Sequence, residues 1–199
     1  MSELNRMADD YKGNDIESLY HSLLRSAGIT FLGGILIALA LAAVLSRGTG
    51  GITSAAPPDL ILYPAFAMFL IAALVLTRMG WLRIGAVRRR DVRLEFYRTF
   101  SEGEEPQALR VVTRNFINLF EVPVLFYVGL IMSHITHQGT WLLVGLAWAY
   151  VILRGLHTAI HLTSNDVPMR LAAYAASGLV LLVMWGTLFL RLLFSERSP

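Results

Sequence analysis

Five stretches of about twenty residues with almost no charge constrain this chain more than any other feature. They run over residues 27–45, 60–82, 114–132, 141–161 and 170–190. A helix needs roughly 20 apolar residues to cross about 30 Å of hydrocarbon, so the reading is an all-α integral membrane protein with five spans, A to E. Composition agrees: 16% of the residues are charged, against about 25% in an ordinary soluble domain. A typical soluble enzyme, a disordered tail and a disulfide scaffold are excluded. With no cysteine, the chain has no thiolate nucleophile and no Cys-ligated metal.

The polar leader, residues 1–26, contains Glu3, Asp9, Asp10, Asp15 and Glu17, unlike the basic start of a cleavable signal. It is read as an interfacial helix with Leu19, Tyr20, Leu23 and Leu24 on its apolar side. The expected organisation is a leader (1–26), an added span (27–46), a four-helix membrane domain (59–194) and a tail (195–199). A turn rich in Gly, Ser and Pro joins A to B, and a tight uncharged loop joins C to D. Before span E, Asn165 or Asp166 can cap the helix, with Pro168 in its first turn. Pro123 predicts a kink in C. Gly33, Gly34 and Gly178 are expected to allow close helix approach.

The net charge is +3, and Lys12 is the only lysine beside sixteen arginines. In so apolar a chain this balance concerns topology and anionic headgroups, not nucleic acid. Nine arginines fall between positions 78 and 114, against Arg47 alone between A and B and none between C and D. The positive-inside rule puts the B–C connection and the N-terminus in the cytoplasm and the C-terminus outside. Trp81 and Trp141 fall where interfacial anchors belong. The Arg/Ala/Gly/Leu-rich composition, without a targeting signal, points to a bacterial inner membrane.

Ionisable groups at membrane depth are costly and normally face an interior, a partner or a wet cavity. Here they gather on one side. Arg88 follows span B; Arg114, Asn118 and Glu121 are spaced four and three apart in C; Arg154, His157 and His161 are spaced three and four apart in D; Arg170 and Tyr174 open E. Each set lies on one helical face. Facing stripes would form a pocket whose arginines suit carboxylates, while Glu121 could hold an ammonium or amide group. The pocket fits a small zwitterionic or anionic molecule with several carboxylates. Plainer readings exist for each group. Glu121 could pair with Arg114 or Arg154, Arg88 could meet lipid phosphate, Arg170 could anchor the interface, and the histidines could bond between helices. His157 and His161 are spaced as H-x-x-x-H but have no third metal ligand by spacing.

The ordered motifs G-A-V-R (85–88), N-L-F-E-V-P-V-L-F-Y (118–127), R-G-L-H-T-A-I-H (154–161), Asn165, P-M-R (168–170) and Tyr174 resemble the MAPEG family, the membrane-associated proteins in eicosanoid and glutathione metabolism. The likeness covers about residues 60–193 and suits a bacterial-type member with an extra N-terminal helix. It implies a four-helix bundle per subunit, a homotrimer, and glutathione held between neighbouring subunits near the cytoplasmic face. By motif, Arg88 would meet a glutathione carboxylate, and Asn118 and Glu121 would hold its peptide or amino group. Arg154 and His157 would line or brace the site. His161 stands where family enzymes often carry tyrosine. Arg170 would stabilise the thiolate, with Tyr174 beside it. The implied activity is a transferase or peroxidase-like reaction of glutathione with a lipophilic small molecule arriving from the membrane lipids. The alternative is a non-catalytic lipid- or thiol-binding scaffold of the same fold.

Overall fold

Lipid offers a backbone no hydrogen-bond partner, so each span must satisfy its own amides. The computed structural model describes the backbone of residues 2–100 and 105–194; side chains are described from residue 28 onward except 99, and before it only at 18, 21, 25 and 26. The described residues form seven α-helices: α1 (Ser2–Leu45), α2 (Tyr63–Arg88), α3 (Phe96–Thr99), α4 (Gln107–Asn118), α5 (Val122–Ile135), α6 (Trp141–Leu162) and α7 (Val167–Phe194). A short 3₁₀ turn, Pro58–Leu62, leads into α2. Five segments are long and apolar enough to span a membrane: Gly28–Leu45, Pro58–Arg88, Gln107–Ile135, Trp141–Leu162 and Val167–Phe194.

The leader continues into the first span as one helix, α1, instead of forming a separate element. The apolar side expected at Leu19, Tyr20, Leu23 and Leu24 lies outside the described side chains, as does the tail 195–199. Span C is broken. The helix stops at Asn118 and restarts at Val122, with Glu121 at φ −91° and ψ −93° between the halves. Pro123 explains the break, because it has no N–H to donate and its ring clashes with the carbonyl four residues back. The expected single face through Arg114, Asn118 and Glu121 therefore ends at Asn118. Asp166 is the cap of α7, its Oδ1 accepting from the Met169 N–H at 2.8 Å. Asn165 instead takes φ +50°.

The centre of the bundle is α6, packed against α1, α2, α4 and α7. At its first half the crossing with α1 is very close. Gly34, Ala38 and Ala42 recur every fourth residue on α1, followed by Ser46 just past its end, and all are buried. A Cβ at Gly145 would meet the Ala38 carbonyl and the Ala42 backbone. Small residues let backbones approach where apolar helices have no hydrophobic drive to associate in lipid. Gly34 likewise faces Leu153 and Val180, whereas Gly33 and Gly178 face open space. Trp81 points outward, but Trp141 is buried. The A–B loop covers it, with Leu142 N–H donating to the Ile52 carbonyl at 2.8 Å and Ala56 N–H to the Gly139 carbonyl at 3.1 Å. The apolar faces of α2, α5 and α7 left exposed by the single chain, such as Phe66, Leu74, Leu125 and Leu182, meet lipid or another subunit.

Candidate functional site

The break in span C is where the polar residues meet. Arg154 on α6 is fully buried, and its Nη2 donates to the Asn118 carbonyl at 2.5 Å. That carbonyl closes α4, so the guanidinium caps a helix end inside the bundle. Its Cζ also lies 5.0 Å from the centre of the Tyr174 ring. Among the described residues no carboxylate comes within 4 Å of it, and its Nε and Nη1 have no hydrogen-bond partner. The expected clamp between Glu121 and Arg114 or Arg154 is absent among the described residues: Glu121 stands exposed beside the break.

One turn further, His157 is buried, and its Nδ1 lies 2.9 Å from the Arg170 carbonyl. A carbonyl only accepts, so Nδ1 carries the proton in this contact. The other nitrogen, Nε2, is buried without a partner and in the neutral ring presents a lone pair. The His161 ring lies edge-on at 5.7 Å from His157, and Tyr174 lies 5.5 Å from His157 on its other side. Arg170 is oriented by its own turn, Nη1 donating to Asn165 Oδ1 at 2.6 Å. The positive φ of Asn165 turns its amide back towards α7.

A polar cavity of about 320 Å³ opens at this end of the bundle, lined by Gln107, Arg110, Arg114, His161, Asn165 and Arg170. A second of about 330 Å³ shares Gln107, His161 and Asn165 and reaches Arg78. No carboxylate lines either cavity among the described residues. Three guanidiniums line the first, forked donors of the kind that suit carboxylates.

Asn118, Arg154, His157, His161, Arg170 and Tyr174 thus come together from α4, α6 and α7. Glu121 lies next to this group along the chain but faces outward. Arg88 does not join it within one chain; it is exposed and lines a separate groove with Leu94 and Phe100. Three further residues, Arg110, Asn115 and Tyr150, belong to this region that are not among those expected from the sequence, although each carries a local signal. Arg110 lines the cavity one turn before Arg114 on α4. Asn115 is fully buried, and its Oδ1 accepts from the Thr158 hydroxyl at 3.5 Å; it stands three residues before Asn118. Tyr150 is fully buried one turn before Arg154 and stacks on Phe126 at 4.4 Å.

The MAPEG family model matches residues 61–190. Comparison with curated proteins and with solved structures gives no match. The match begins in the turn that enters α2 and runs through all the clustered polar residues to the last turns of α7, more than half the chain. The chain belongs to the MAPEG family.

Proposed function

We propose that this integral membrane protein is a glutathione-dependent transferase with peroxidase-like capacity, acting on lipophilic electrophiles. The observation that carries the reading is the cavity walled by Arg110, Arg114 and Arg170 with no carboxylate among its described lining residues. Glutathione supplies two carboxylates and a thiol that ionises, and this chain has no thiol of its own. A carboxylate would sit against Arg114. Arg170 would face the sulfur, where its charge favours thiolate over thiol. The Nε2 lone pair of His157 offers a buried acceptor for an N–H of the tripeptide or for the leaving proton. The thiolate then attacks an electrophilic carbon. A sulfur–carbon bond forms, and the leaving group departs with its electron pair.

Family membership supports a trimer, and two outward residues fit that reading. Glu121 is exposed at membrane depth, where an ionised side chain facing lipid costs roughly 3 kcal/mol. Arg88 is exposed at the end of α2. A neighbouring copy of this chain would cover Glu121 and bring its own Arg88 towards the cavity. The basic end of the bundle would face the cytoplasm of a bacterial inner membrane, with the N-terminus inside and the C-terminus outside. The working domain would be residues 59–194, with residues 27–46 as its added span.

The test is Arg170→Leu in detergent-solubilised protein, reading glutathione conjugation to an activated aryl halide beside glutathione-induced thermal stabilisation. The expected loss of rate is about 100-fold, in line with removing one preorganised group that stabilises charge. Unchanged turnover removes Arg170 from the mechanism. Stabilisation of the unmutated protein by millimolar glutathione without turnover supports the scaffold reading instead.

A further inference from the structure

A second site lies outside this cluster, where α2 meets the arginine-rich connection. The connection does not trail away from the bundle. Arg90 takes φ +61°, and the Asp91 N–H donates back to the Ala86 carbonyl at 2.9 Å, so the chain reverses against the end of α2. α3 then presents aromatic rings to that helix end. Phe96 is buried, with Tyr97 edge-on at 5.3 Å and Phe100 edge-on at 5.4 Å. Arg83 of α2 places Cζ 5.5 Å from the centre of the Tyr97 ring, and its Nε lies 3.6 Å from the buried Glu105 carboxylate.

Between α2 and α3 this leaves a groove of about 480 Å³, with Ile84, Val87, Leu94 and Phe100 as apolar walls and Arg83 and Arg88 on its rim. Its walls are open: Ile84, Leu94 and Phe100 are 51%, 67% and 59% exposed. Arg89 is already paired with Asp91 at 2.9 Å, whereas Arg88, Arg90 and Arg93 have no ion-pair partner among the described residues. Two groups lining the groove, the Tyr97 hydroxyl and Arg83 Nε, hold buried polar atoms with no hydrogen-bond partner. Burial first and the Glu105 charge second push the Tyr97 pKa up, only partly offset by Arg83, so the hydroxyl stays protonated and available to donate.

We propose that this groove holds one acyl chain of an anionic phospholipid, with the phosphate on the arginine rim. The charge is complementary, because a basic rim at the end of a span meets the anionic headgroups of its leaflet. The height is right, since α2 leaves the membrane at Arg88 and the apolar walls continue just beyond it. An ester or phosphate oxygen would also accept from the Tyr97 hydroxyl and Arg83 Nε. The site is independent of the glutathione reading except for Arg88, which the test leaves intact.

The experiment is native mass spectrometry of the full chain in neutral detergent, with phosphatidylglycerol or phosphatidylcholine of matched chains added. The rim arginine without an ion-pair partner among the described residues, Arg88, predicts a preference of about fivefold for phosphatidylglycerol. The variant Leu94→Asn changes an exposed wall; it should lose phosphatidylglycerol retention about fivefold with an unchanged lipid-free melting temperature. Equal retention of the two lipids, or unchanged retention by the variant, overturns the proposal. So does ready disulfide formation between copies carrying Leu94→Cys, a clean probe in a chain without cysteine, because a second copy would then cover the groove.

Discussion

The two halves of α6 both carry a buried face, and the faces are differently built. Over residues 143–149 the buried side chains are Leu143, Val144, Gly145, Leu146, Ala147 and Ala149, and the contact with α1 is dry and backbone-close. From Arg154 onward the buried side chains include Arg154, His157, Thr158 and His161. Polar atoms of Arg154, His157 and His161 are left without protein partners. In lipid, burying an apolar side chain between helices brings little hydrophobic gain, so the first half depends on close van der Waals contact. The second half keeps groups whose unsatisfied donors and acceptors cost stability. They are useful only to a ligand or ordered water. One helix thus carries close packing in one half and unsatisfied polar groups in the other.

The comparison breaks most severely at Gly145. Gly145→Val would drive its side chain into the Ala38 carbonyl, a backbone atom that cannot rotate aside. The expected loss is about 3 kcal/mol, read as a lower melting temperature in detergent together with faster proteolysis in the A–B loop as α1 loosens. If the variant melts like the parent, the first half is not the tight region. Arg154→Met is next. It removes the donor to the Asn118 carbonyl while keeping an apolar body of similar length. The expected loss is about 2 kcal/mol, with weaker glutathione-induced stabilisation, whereas Gly145→Val should leave that ligand response intact in whatever fraction folds. An Arg154→Met protein with full stability and full ligand response would merge the two halves into one structural core. Gly34→Ala is the mildest. The new methyl meets the ends of the Leu153 and Val180 side chains, 2.8 and 3.3 Å away, and Leu153 can move. A net loss of about 0.5 kcal/mol is expected, and a loss matching Gly145→Val would show that α1 is held rigidly along its whole length.

Much of the polar cluster is readable in the sequence because helical periodicity is a local property. Arg154, His157 and His161 share a face of α6 in any unbroken helix, and Asp166 with Pro168 marks where α7 must begin. Trp141 has the position of an interfacial anchor, and only the folded A–B loop decides that it is covered. The α1 stripe Gly34, Ala38 and Ala42 is visible as a four-residue repeat, but its partner, Gly145, is more than a hundred residues away. Glu121 aligns with Asn118 only if span C is continuous; Pro123 hints at a kink but does not say how far the two half-helices part.

The sequence by itself determined that this chain lives in a membrane, how many times it can cross, which family it joins and which residue types lie at one end of its spans. Those properties follow from hydropathy, length and spacing along single helices. Tertiary structure alone decided that Arg154 would cap the broken span, that Arg110 would join Arg114 and Arg170 around the cavity, and that Arg88 would line a different groove. Such outcomes depend on which helix faces meet. In lipid that choice is governed by close steric fit and by the need of each buried polar group for a partner, and neither is written in any one segment.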